Sequence, residues 1–227
     1  MNRKLLNLLI VFIAIPSFVL LGIFVFKDRS FVFISLLIAI LAMIPVFMSF
    51  ESKETNIRRM VILATLITIS VVGRFIFAAI PGFQPVTAIV VIAAIFFGSE
   101  AGFLVGAMSA IISNIYFGQG PWTPFQMFSW GIIGFIAGHT KLSEKLKTNR
   151  LLLVVYGIFA GIMYSLMMDV WSVMSLDGTF NVSRYVAIVS LSIPFMIAYA
   201  ISNVLFLLLT IKPMSEKIQR LKTKYGI

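Results

Sequence analysis

Gly118-Gln119-Gly120-Pro121-Trp122-Thr123-Pro124-Phe125-Gln126-Met127 lies between two apolar runs, at roughly 101–117 and 125–140. Its two prolines fix φ and remove two backbone donors, so a helix cannot run through the segment unbroken. The flanking runs have the composition of membrane helices. The segment therefore reads as a stiff loop between two spans. An indole and two amides are costly ornaments for a chain that only sits in lipid. They read as part of a cap that captures a ligand.

Working outward, the apolar pattern repeats along the whole chain. Its 227 residues are 60% hydrophobic and only 11% charged, with mean hydropathy +1.07, too little polar surface for a soluble core of this size. Eight apolar segments are predicted, at about 5–26, 31–50, 60–80, 86–98, 101–117, 125–140, 151–174 and 184–211. Runs of about 20 such residues match the thickness of a bilayer's hydrocarbon. The fold class is thus an all-α membrane protein of about eight transmembrane helices. The fourth, fifth and sixth are short, which a bundle tolerates when neighbours cover polar ends. Residues 5–26 follow Arg3 and Lys4 like a secretory signal, but the apolar part is long and lacks a small-residue cleavage site, so a retained span is expected.

The net charge of +10 in a soluble protein would suggest nucleic acid. The placement of the charges argues otherwise. With the N-terminus in the cytoplasm, Arg3, Lys4, Lys53, Arg58, Arg59, Lys141, Lys145, Lys147, Arg150 and the tail Lys212, Lys217, Arg220, Lys222 and Lys224 all fall inside. Only Lys27, Arg29, Arg74 and Arg184 do not. That asymmetry predicts a multi-pass protein of a cell membrane with both termini cytoplasmic. The basic tail is expected to face anionic lipid or a cytoplasmic partner, and no nucleic acid.

A polar stretch, Glu51 to Arg59, divides the chain. Residues 1–57 form a transmembrane hairpin and linker with no evident chemistry. Residues 58–227 hold six spans, the glycines, the amides and the basic tail. Gly98, Gly102, Gly106 and Ala110 recur every four residues, as do Gly157, Gly161 and Ser165. Such stripes let helices approach closely in lipid, and packing within the chain is the expected use.

Arg74 and Asp169 are the charges deepest in the spans. Intramembrane charges tend to pair, so a structural ion pair is expected. The functional alternative is that one of them touches a polar substrate. The sole histidine, His139, lacks a carboxylate cluster and makes a poor metal site. With no cysteine, no phosphate-binding loop of the G-x-x-x-x-G-K-[S/T] type and no triad, nothing here supports an enzyme or a bound cofactor. Phe83 and Gln84 lie in a second stiff loop, Pro81 to Pro85. With Asn114, Gln119, Trp122, Gln126 and Trp130 they form the candidate substrate site: apolar walls with a few placed polar groups.

Gly73-Arg74-Phe75-Ile76-Phe77-Ala78-Ala79-Ile80-Pro81-Gly82-Phe83-Gln84-Pro85-Val86-Thr87, Ala101 to Ala107, and Phe117 to Met127 with Trp130-Gly131 resemble the core of S components of energy-coupling factor (ECF) transporters. The likeness covers about residues 58–211 and is nearest the cobalamin-specific, CbrT-like subgroup. It implies a six-helix core that binds a vitamin outside the cell, preceded here by the extra hairpin. It implies a transmembrane coupling protein and two cytoplasmic ATPases as partners, and a toppling of the S component that delivers the ligand. In many members an Ala-x-x-x-Ala in the first core helix docks on the coupling protein. The matching positions here are Ala64 and Thr68. Cobalamin or a related corrinoid is the implied ligand. Riboflavin or a thiazole-like precursor is the alternative within the class, and a non-transport membrane scaffold or sensor the alternative outside it.

Overall fold

The computed structural model describes residues 6, 8–17, 41, 56–177 and 180–225. Most of the expected hairpin, including its turn at 27–30 and the linker from 51, lies outside the described residues. Of its first span, Ile10–Ala14 forms a π-helical turn, and Ile10, Val11 and Ile15 are buried. Phe12 meets Phe135 edge to face, with ring centres 5.7 Å apart. This segment thus packs on the six-span part.

Among the described residues every other regular element is an α-helix: α1 (Asn56–Ile76), α2 (Val86–Phe97), α3 (Ser99–Phe117), α4 (Thr123–Ala137), α5 (Thr140–Thr148), α6 (Arg150–Asp177) and α7 (Val182–Tyr225). Four of them, α1, α3, α6 and α7, are long and apolar enough to cross a membrane. The expected spans at 86–98 and 125–140 are shorter, because Pro85 and Gly98 bound α2, and α4 stops before Gly138. All twelve residues of α2 are buried. It lies at the centre, touching α1, α3, α4, α5 and α7. A helix apolar on every side is one enclosed by protein or lipid, and here neighbours enclose it.

Two differences from the sequence reading concern the basic end. The stretch 141–150 was expected as a loop, but Thr140–Thr148 is helical, with Ser143 and Leu146 turned inward. Its remaining face is hydrophilic, so apolar periodicity over nine residues is too brief a signal. The last span was expected to end at 211, but α7 continues to Tyr225 through Pro194 and Pro213. Buried Ile218 and a hydrogen bond from Lys222 Nζ to the Phe96 carbonyl hold this extension against the bundle.

Both small-residue stripes are used inside the chain. A Cβ on Gly106 would sit 2.6 Å from the carbonyl oxygen of Trp130, and one on Gly161 would sit 2.6 Å from the backbone nitrogen of Ala200. Only glycine lets α3 approach α4, and α6 approach α7, so closely. These two pairs make the most extensive helix contacts.

The loop between α1 and α2 sits deep. Gln84 N–H donates to Ser202 Oγ at 2.8 Å, and that hydroxyl donates back to the Gln84 carbonyl at 3.1 Å. Ser202 lies about 30 Å along α7 from its start, at 1.5 Å per residue. The short α2 therefore fills only one half of the bundle. Its loop forms a floor beneath the end where α3 gives way to α4.

Candidate functional site

The last turns of α3 carry Ser109, Ser113 and Asn114, all buried. Ser113 Oγ donates to the Ser109 carbonyl at 2.6 Å, which leaves its oxygen free to accept. Arg74, near the end of α1, donates through one nitrogen to Ser113 Oγ at 2.5 Å and to Asn114 Oδ1 at 2.8 Å. Asn114 Nδ2 in turn donates to Thr123 Oγ1 at 3.0 Å and to Gln126 Oε1 at 2.7 Å. Gln126 Nε2 donates to the Tyr164 hydroxyl at 3.3 Å. Thr123 donates to Gln119 Oε1 at 3.0 Å, and Gln119 Nε2 to the Ile111 carbonyl at 2.7 Å. One network thus joins α1, α3, the α3–α4 loop, α4 and α6. Its burial in a medium without water explains why its amides have found partners.

Aromatic rings wall this network. The Arg74 guanidinium stands 4.6 Å from the Phe117 ring centre and 5.3 Å from that of Trp130. Such cation–π contacts suit a cation without a carboxylate beside it. Trp130 is buried and stacks on Tyr164, with planes 12° apart and centres separated by 5.0 Å. Tyr164 meets Tyr199 edge to face at 5.0 Å. Trp122 is 37% exposed, and its indole covers Gly120 so closely that a Cβ there would lie 2.2 Å from the ring. The Gly118–Trp122 turn is therefore folded under its own aromatic side chain.

Of the residues expected at the site, Asn114, Gln119, Gln126 and Trp130 come together with Trp122 at their rim. Phe83 and Gln84 belong to the adjoining floor. Phe83 packs with Phe77 and Phe206 at 5.6 and 5.1 Å, and Gln84 is tied by its backbone to Ser202. Tyr199 links the two groups, since it touches Tyr164 and a Cβ on Gly82 would lie 3.8 Å from its ring.

The expected Arg74–Asp169 ion pair does not form. Arg74 bonds Ser113 and Asn114, whereas Asp169, 7% exposed, accepts from Ser192 Oγ at 2.6 Å. The reason is packing: α1 lies against α2 and α3, and α6 against α7 and α4. Sequence reading also missed Ser113, Thr123, Tyr164 and Tyr199. Tyr164 had a signal. It lies on the face of α6 that carries Gly157 and Gly161, and a buried tyrosine hydroxyl seeks a partner. Ala64 and Thr68 lie exposed on α1, with the Thr68 hydroxyl donating to the Ala64 carbonyl at 2.9 Å. That bond leaves a small and largely apolar surface there.

A buried polar network set in aromatic walls, inside an α-helical bundle with four helices long and apolar enough to cross a membrane, defines an α-helical membrane protein. The profile of one family, the ECF-type riboflavin transporter S component, matches residues 54–216, more than two thirds of the chain. The chain belongs to this family of ECF transporter S components. No curated protein and no solved structure matches it.

Proposed function

We propose that the chain captures a vitamin from outside the cell at the Arg74–Asn114–Gln126 network and yields it to partner subunits for ATP-driven uptake. The partners are a transmembrane coupling protein and two cytoplasmic ATPases. The chain itself is no enzyme and carries no cofactor. The observation that carries this reading is the placement of the network opposite the basic end. The loop of Trp122 lies at one end of the bundle, with the Gln84 loop deep beneath it, while Arg58, Lys145, Lys147, Arg150 and Lys212 gather at the other end. The positive-inside rule then turns the network outward and both termini inward. Ala64 and Thr68 supply the docking surface on α1.

The ligand proposed is cobalamin or a related corrinoid. Three amide side chains, Asn114, Gln119 and Gln126, near the partly exposed Trp122 indole suit a broad apolar ring system edged with amides. Riboflavin is the second reading. The family's description names it, and the parallel Trp130–Tyr164 pair suits a further flat heterocycle. Calorimetry on the purified protein with cyanocobalamin, cobinamide, riboflavin and a thiazole precursor decides between them. Tight corrinoid binding alone is expected. Tight riboflavin binding without corrinoid binding replaces the ligand and keeps the class. If no vitamin binds, and the energising subunits never co-purify, a scaffold or sensor takes its place.

A further inference from the structure

The basic end holds a cavity that the capture of a vitamin does not use. It has a volume of about 410 Å³ and is lined by Lys147, Arg150, Lys212 and Glu216 over a floor that includes Phe96 and Leu208. Lys147 is bonded to Glu144 at 2.7 Å and faces the Phe96 ring at 5.6 Å. Arg150 and Lys212 are exposed and reach the same cavity from the start of α6 and the cytoplasmic part of α7. Three cations against two carboxylates, Glu216 in the lining and Glu144 on Lys147, leave the cup with one net positive charge.

Leu208 also lines a second cavity, of about 650 Å³, between α6 and α7. Its walls are wholly apolar, among them Ile158, Ile162, Ile197, Ala200 and Ile201. It runs up the outer face of the two helices that Gly161 brings together. Through Leu208 the cationic cup opens onto an apolar channel that leads toward the membrane centre. That sequence of chemistries, cation at the interface and hydrocarbon below it, is the shape of a phospholipid with an anionic headgroup. Basic pockets between helices on the cytoplasmic side recognise such headgroups.

We propose that this composite groove binds one anionic phospholipid. Its phosphate rests among Lys147, Arg150 and Lys212, and one acyl chain lies in the α6–α7 channel. A soluble phosphate would use only the first half of this site, and the continuity at Leu208 commits the site to lipid. The bound lipid lies across the α6–α7 seam, whose other face carries Tyr164 and Tyr199 of the vitamin site.

The test is native mass spectrometry of the full-length protein released from nanodiscs of mixed phosphatidylglycerol and phosphatidylcholine. One phosphatidylglycerol is expected to be retained in preference to phosphatidylcholine. The triple variant Lys147→Gln, Arg150→Gln, Lys212→Gln is expected to lose retention by about fivefold for each cation removed. Lys147→Arg with Lys212→Arg keeps it, which separates charge from folding. Ala200→Phe, placed in the channel, weakens retention of phosphatidylglycerol while leaving all three cations. Equal retention of the two lipids, full retention in the triple variant, or displacement by millimolar inorganic phosphate overturns the proposal. So does a photocrosslink from Ile201 to the coupling subunit in place of lipid.

Discussion

Asn114 touches Arg74, Thr123 and Gln126 at once, so its loss reaches beyond one contact. Asn114→Ala leaves buried donors and acceptors unmatched, at a cost of about 1–3 kcal/mol. The purified variant is expected to melt several degrees lower and to bind its vitamin at least about tenfold more weakly, since 1.4 kcal/mol is a factor of ten. Arg74→Gln is expected to weaken binding in calorimetry and to melt less far below the native protein than Asn114→Ala, because Ser113 keeps its bond to the Ser109 carbonyl and the glutamine amide can still donate to Asn114. Arg74→Asp combined with Asp169→Arg does not rescue either single change, since the two charges serve different neighbours; recovered transport in the double variant would contradict this arrangement. Here the limits of the sequence are physical. Depth along a helix can be counted from the chain, and it placed both charges in the same half. The direction in which each helix faces is set by packing, and it sends Arg74 toward α3 and Asp169 toward α7. Asn114, Gln119, Gln126 and Trp130 were legible because amides and indoles stand out against hydrocarbon. Ser113 and Thr123 were not, because small hydroxyls are ordinary in membrane helices.

At the scale of helices, the pairs α3–α4 and α6–α7 depend on close backbone approach. Gly106→Leu and Gly161→Leu are each expected to destabilise by about 1–3 kcal/mol, the usual penalty of forcing bulk into a packed core. Thermal unfolding in detergent checks this. Gly118→Ala, by contrast, meets no atom within 4 Å and costs only the strain of a φ of +101°. The stripes were readable from the chain, because a four-residue period survives whatever partner it meets. The helices α2 and α4 were readable both as apolar and as short, whereas α5 was not readable at all. Length criteria assume a helix that must cross lipid alone. A helix ringed by its neighbours has no such duty, and a nine-residue amphipathic helix carries too few apolar positions to declare a period.

For the molecule as a whole, the first question is which way up it sits. The chain contains no cysteine, so a single introduced thiol reports one place. Gln119→Cys is expected to react with an impermeant maleimide on intact cells, and Glu144→Cys only after lysis; the reverse pattern would invert the importer. Partner docking belongs to the same scale. Ala64→Phe is expected to leave vitamin affinity within about twofold while abolishing co-purification of the ATPases, because small faces govern close helix contact in lipid. Six apolar segments after a polar seam were evident in the chain, as was the charge bias. The depth of the α1–α2 loop was not, since it depends on a bond between Gln84 and a serine far along the last helix. That depth has a consequence for transport. The twelve residues of α2 rise about 18 Å, against a hydrocarbon slab of about 30 Å. In the proposed transport, a passenger resting on the turn above α2 has descended about 12 Å of that slab by diffusion alone, and the fuel-burning subunits are left with the remaining ~18 Å.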